Sequence, residues 1–127
     1  MIFLDTNIAI ALRDLDDATL DRIETLDEQP VISIISRIEL ENGVYRQPEL
    51  SDLRRQSLDR VLQSLRIEYF GESDILTYGR IIRALGHDRR CTLDRLIAAQ
   101  VLDRDAVLIT RNVKDFRNIP GLKLIAW

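Results

Sequence analysis

Met1-Ile2-Phe3-Leu4-Asp5-Thr6-Asn7 sets the reading of every later segment. Four apolar residues run into an acid and two small polar residues with no turn signal between them. An apolar run this short and uninterrupted suits a strand buried on both faces, as in a parallel sheet covered by helices. Asp5 then emerges at the strand's carboxyl end, where ligands bind in open α/β sheets. The question for the rest of the chain is whether other acids arrive at the same rim.

Two further runs have the same character. Val31-Ile32-Ser33-Ile34-Ile35 is β-branched and ends at Ser36, and Ala106-Val107-Leu108-Ile109-Thr110 leads into Arg111-Asn112. Arg66-Ile67-Glu68-Tyr69-Phe70 reads as a more exposed strand, and Leu122 to Trp127 as a last strand at an edge. Helical patterns lie between them. Ile8 to Leu12 makes a short helix capped by Thr6 or Asn7, and Asp14, Asp16 and Asp17 form a solvated break. A helix from Ala18 buries Leu20, Ile23 and Leu26 and stops at Pro30. From Ser36 a helix carries Ile38, Leu40, Val44 and Tyr45 until Gln47-Pro48.

A longer helix over about 50–65 turns Leu53, Leu58, Val61, Leu62 and Leu65 inward and Arg54, Arg55 and Arg60 outward. Ser73 caps the next helix, with Ile75, Leu76, Tyr78, Gly79, Ile82 and Leu85 as its apolar set and Gly86 closing it. After the polar loop His87 to Cys91, Thr92 caps a helix that is apolar on most sides and therefore central. Strands alternating with helices specify an α/β fold: one domain over residues 1–127, a mainly parallel sheet with helices on both faces and right-handed crossovers.

With 127 residues and 46% hydrophobic content, the chain can bury a core but has little room for insertions. No apolar stretch is long enough to span a bilayer and no secretory leader is recognisable, so a cytoplasmic location without membrane contact is expected. The single cysteine, Cys91, and the single histidine, His87, exclude a structural zinc cluster, leaving oxygens as ligands for any metal. Residues 1–45 hold ten acids against three bases, whereas residues 46–127 hold fifteen bases against eleven acids. Sixteen of the eighteen bases are arginine, which binds phosphate bidentately; a nucleic-acid partner is permitted by this, and so is a plain mixed-charge surface.

The candidate site comes from the residues just beyond each buried strand: Asp5 after the first, Ser36 and then Glu39 after the second, and Asn112 and Asp115 after Thr110. Asp94 lies in the first turn of the central helix. Each has a plainer reading. Ser36 and Glu39 have capping-box spacing, Asn112 and Asp115 imitate it, and Asp94 suits a helix dipole. Jointly, with Thr6, Asn7 and Thr110 as polar supports, they point to one cavity. Two carboxylates about 4 Å apart repel by roughly 4 kcal/mol at an effective dielectric near 20, a penalty that a divalent cation removes. Magnesium or manganese, with oxygen ligands, suits in-line attack of an activated water on a phosphodiester.

The four blocks Leu4-Asp5-Thr6-Asn7, Ser36 with Glu39-Leu40 and Gly43-Val44, Asp94 to Ala99, and Leu108 to Phe116 resemble the PIN-domain family, and within it the VapC-type toxins of toxin–antitoxin pairs. The resemblance spans the chain in order and spacing. It implies an endoribonuclease dependent on Mg²⁺ or Mn²⁺, a homodimer, and a VapB-like antitoxin partner that silences it. Asp5, Glu39 and Asp94 match the family's core acids. Either Asp115 or Asn112 takes the fourth position.

Glu41, two residues from Glu39 and on the other side of its helix, is the rival acid. His87 reads as solvated. Arg89, Arg90, Arg95, Arg111 and Lys114 are surface charges by default and candidates for gripping RNA phosphates. A phosphoacceptor receiver domain would need an aspartate where the second strand ends in serine, and a dehalogenase-type phosphatase an acid at Asn7. A non-catalytic PIN-like module binding RNA or protein is the remaining alternative.

Overall fold

A computed structural model describes all 127 residues. The first strand, β1 (Ile2–Leu4), lies at the centre of a five-stranded sheet. On one side it pairs with β2 (Val31–Ser33), which pairs with β3 (Arg66–Glu68); on the other it pairs with β4 (Val107–Thr110), which pairs with β5 (Lys123–Ala126). Every pairing is parallel, and Leu4 stands between Ile32 and Ile109. The chain builds outward from β1 in one direction and then returns to add β4 on its other side. The crevice between the ends of β1 and β4 is thus a switch point of the topology, the place such sheets present to ligands.

Alternation along the strands explains the unbroken apolar runs. Phe3, Val31 and Leu108 enter one core together with Ile81, Ile97, Ala98, Phe116 and Ile119, while Leu4, Ile32 and Ile109 enter a second with Ile8, Leu12, Leu40, Leu58 and Val61. The second core is covered by α1 (Thr6–Arg13), α3 (Ile34–Tyr45) and α4 (Ser51–Leu62), with α2 (Asp17–Glu24) beside it. The first is covered by α5 (Glu72–Leu85), α6 (Thr92–Asp103) and the short α7 (Val113–Phe116). No helix is long and apolar enough to cross a membrane.

Several boundaries differ from the sequence expectation, mostly through capping. Ser33, not Ser36, starts α3, its hydroxyl accepting from the Ile35 N–H at 2.9 Å. Ile34 and Ile35 are therefore helical, and Ser36 is buried inside the helix. Asp16, exposed as expected, is also a cap, accepting from the Thr19 N–H at 3.1 Å. The cap of α5 is at Gly71, whose N–H donates to Asp74 at 2.8 Å, while Ser73 donates to Asp103. Thr92 is the first residue of α6 rather than its cap, because a 3-10 turn over Arg89–Cys91 feeds straight into the helix.

The apolar stripe expected on α5 is also rotated. Ile75 and Leu76 are exposed, and the helix buries Asp74, Thr77 and Ile81. The polar pair faces inward because α6 offers partners: Thr77 bonds Asp103 at 3.1 Å, and Arg104, just past the end of α6, pairs with Asp74 at 2.6 Å. Leu53 of α4, expected inward, is exposed as well. Gly86, with φ +80, closes α5 as expected, the backbone form that glycine adopts without strain.

Candidate active site

Asp5 ends β1, caps α1 and stays in the sheet's ladder up to the rim, donating its N–H to Ile109 O at 2.9 Å. Its side chain is 5% exposed. Oδ1 accepts from the Thr6 N–H at 2.8 Å and Oδ2 from the Thr110 hydroxyl at 2.7 Å. Thr110 Oγ1 in turn accepts from the Asn112 N–H at 2.9 Å. Two donors fix the carboxylate's orientation while each oxygen keeps capacity for another partner.

Thr6 has a second use. Its Oγ1 lies 2.7 Å from Glu39 Oε1 and 2.9 Å from Ser36 Oγ. With one proton to give, it donates to the carboxylate and takes a bond from Ser36. Glu39 is thereby aimed at the rim from α3. Its rival Glu41 is held elsewhere, by Arg37 at 2.8 Å and Arg55 at 2.6 Å. Those two arginines, Arg55 foremost, keep its carboxyl below the usual range.

Asp94 is half-buried in the first turn of α6, and Asp115 is exposed on α7. That the four acids share one region is visible in their charges. Burial foremost, and then the charges of Asp5, Asp115 and Glu39, together push the Asp94 carboxyl up from 3.8 to about 6. Asp5 is raised by burial and by Asp115, against the lowering effect of the Thr110 and Thr6 hydrogen bonds. Glu39 is raised by burial and by Asp5, against Thr6. Asp115 is thus the fourth charge felt by Asp5 and Asp94, whereas Asn112 contributes a backbone N–H and leaves its side chain exposed.

The acids form a rim rather than a closed cage. No three Asp, Glu, His or Cys side chains stand close enough together to bracket a metal ion. A hard dication that keeps several waters needs only one or two direct carboxylates, and an all-oxygen rim provides them. Of the expected polar supports, Thr6 and Thr110 act as such. The side-chain oxygen of Asn7 is buried with no hydrogen-bond partner. The largest cavity, about 650 Å³, is lined by Leu12, Leu20, Ile23, Val61 and other residues, and by none of the four acids.

The basic candidates divide. Arg95 is buried and donates to Gly86 O at 2.6 Å, so it braces the end of α5 and is not a surface charge. Arg111 donates to Thr19 Oγ1 at 2.6 Å and to Asp16 at 3.2 Å, a clasp between the rim and α2. The signal for it was the Asp16-x-x-Thr19 capping spacing. Arg90 pairs with Asp88 in solvent. Arg89 and Lys114 are exposed and have no partner.

A family model described as PIN domain matches residues 2–122. The Ribonuclease VapC2 of Rickettsia felis is 31% identical over 129 residues, covering 98% of this chain and 96% of the relative. Ribonuclease VapC1 of Haemophilus influenzae (strain R2866) is 30% identical with the same coverage. Among solved structures, that of VapBC2 from Rickettsia felis bound to a promoter DNA fragment contains a chain similar at TM-score 0.87 and 30% identity, covering 100% of this chain and 99% of that one. A chain of VapBC-1 from nontypeable Haemophilus influenzae is similar at TM-score 0.82 and 28% identity, covering 100% and 98%.

Proposed function

The chain belongs to the PIN-domain family, as a VapC-type member, and on that premise we propose that it is an endoribonuclease dependent on Mg²⁺ or Mn²⁺, the toxin of a VapBC-type pair. The observation that carries this reading is the meeting of charges from four separate segments at one switch point, with Asp94 raised to about 6 by burial and by the other three acids. A carboxylate group so crowded is poised to accept a hard cation.

Asp5 and Asp94 would hold the cation directly, with Glu39 and Asp115 acting through water. When bound, the cation supplies charge neutralisation and a more acidic water at neutral pH. The chain's own work is orientation. Thr110 and Thr6 lock the Asp5 carboxylate, Thr6 aims Glu39, and Ser36 completes the hydroxyl chain that keeps Thr6 donating. Arg89 and Lys114, exposed and unpaired, are the side chains best free to hold RNA phosphates beside this rim.

The relatives whose solved structures are VapBC complexes support a VapB-like antitoxin as the protein partner. A homodimer also belongs to this reading. The test is incubation of single-stranded and structured RNA with Mg²⁺ or Mn²⁺, using wild type, Asp5→Asn and Asp94→Asn. Cleavage by wild type alone is expected. Cleavage at equal rates by all three proteins would remove the site assignment.

A further inference from the structure

Beside the acidic rim, on its β5 side, lies a small cavity of about 160 Å³ bounded by Ala18, Thr19, Arg22, Arg111 and Trp127. It is coupled to the site through the backbone. The Trp127 N–H donates to Thr110 O at 3.0 Å, and Thr110 is the residue whose hydroxyl holds Asp5. Trp127 packs against the core that includes Leu4 and Ile109, and the Arg22 guanidinium lies over its ring, 5.6 Å from the centroid. The Arg22 side chain has no hydrogen-bonded or ion-paired partner, so an exposed cation rests over an aromatic ring. Arg111 is oriented by Thr19 and Asp16, which engage only its Nη2 and leave Nε and Nη1 to donate.

The chemistry of this cavity is one-sided. Arg22, the free nitrogens of Arg111 and the indole N–H of Trp127 are all donors, and the Thr19 hydroxyl is already committed to Asp16 and Arg111. A phosphate would suit donors too, but Asp16, Asp17 and Asp21 crowd this end of α2 with negative charge. A neutral flat ring with acceptors on its edge avoids that repulsion. Unpaired RNA bases are held in this way, stacked on aromatic and guanidinium planes and read along their edges. Guanine carries two acceptors, O6 and N7, on one edge, so a free Nε–H or Nη1–H of Arg111 can donate to it singly, whereas adenine places an amino donor at the O6 position against these donors.

We propose that Arg22, Arg111 and Trp127 form a base-reading subsite that takes one unpaired guanine of the RNA whose phosphodiester meets the acidic rim. This rests on the ribonuclease reading and adds its substrate preference. The base extends the Trp127–Arg22 stack, and Arg111 bonds its edge, so cleavage falls at a fixed offset from guanine.

Trp127 is the single tryptophan, so its emission reports the subsite alone. The experiment titrates wild-type protein in EDTA with pentaribonucleotides of uridine carrying guanosine, adenosine, cytidine or uridine at the centre. The guanosine probe is expected to quench saturably and to bind about tenfold tighter than the adenosine probe, the worth of one hydrogen bond from a charged donor. Arg111→Lys and Arg22→Gln should erase that preference while leaving the far-ultraviolet dichroism and melting curve of the folded protein intact. No change in emission, or equal affinity for all four probes, would overturn the proposal. Mg²⁺-dependent cleavage of a longer RNA is measured in parallel: cutting with a silent Trp127 defeats the subsite only, and neither cutting nor binding defeats the ribonuclease reading as well.

Discussion

Replacing Asp94 by Asn should make the metal-free protein more stable at neutral pH while abolishing its activity. The Asp94 carboxyl is moved from 3.8 to about 6, which corresponds to at most about 3 kcal/mol of differential interaction between its two protonation states. The side chain is only half-buried, so solvent screening reduces this to roughly 1–2 kcal/mol. Loss of a favourable charge in the first turn of α6 returns up to about 1 kcal/mol. The net expectation for Asp94→Asn at pH 7.5 in EDTA is a gain of about 1 kcal/mol, or about 4 °C in Tm for a chain of this size.

The pH dependence carries the sign. A carboxyl whose folded pKa lies above its unfolded value binds a proton more readily when folded. Its stabilising contribution is complete below about 3.8 and is lost as pH rises through about 6. Wild type should therefore lose stability across that window relative to Asp94→Asn. Urea denaturation in EDTA at several pH values between 3.5 and 8 would read it. Adding Mg²⁺ should reverse the order, since a cation bound by the folded rim stabilises wild type more. A variant that is less stable at pH 7.5 in EDTA, with a pH profile parallel to wild type, would refute the charge-crowding account.

Thr110→Val deletes a hydroxyl that bonds both Asp5 and the Asn112 N–H. It should cost about 1–3 kcal/mol by denaturant titration, raise the Asp5 carboxyl further, and lower RNA cleavage on the order of 10–100-fold. Glu39→Gln should abolish cleavage, while Glu41→Gln, whose carboxylate serves Arg37 and Arg55, should cut at nearly the parental rate in the same assay. Arg104→Met leaves Asp74, 3% exposed, without its cation. It should destabilise by about 3–5 kcal/mol, with the turnover number of the folded fraction unchanged because the network lies outside the acid rim.

The sheet was legible because its central strands carry the simplest signal a chain can give, short apolar runs without a turn signal that suit a two-faced core. Asp5, Glu39 and Asp94 were readable from their positions after or beside those strands. The features that escaped depend on partners distant in sequence. Nothing near Asp74 and Thr77 announces that they turn inward, because the reason is Asp103 and Arg104 some thirty residues on. Arg95 looks like any surface arginine until the Gly86 carbonyl claims it. Ser33 and Ser36 are both competent caps, and only pairing of β2 with β1 and β3 decides that the strand ends at Ser33.

Titration of the protein with Mn²⁺, followed by the loss of the free ion's paramagnetic resonance signal, tests the central claim most directly. Saturable uptake over the same concentration range that activates RNA cleavage is predicted for wild type, with both lost in Asp5→Asn. RNA cleavage that persists in EDTA, or Mn²⁺ uptake unchanged in Asp5→Asn, would contradict it.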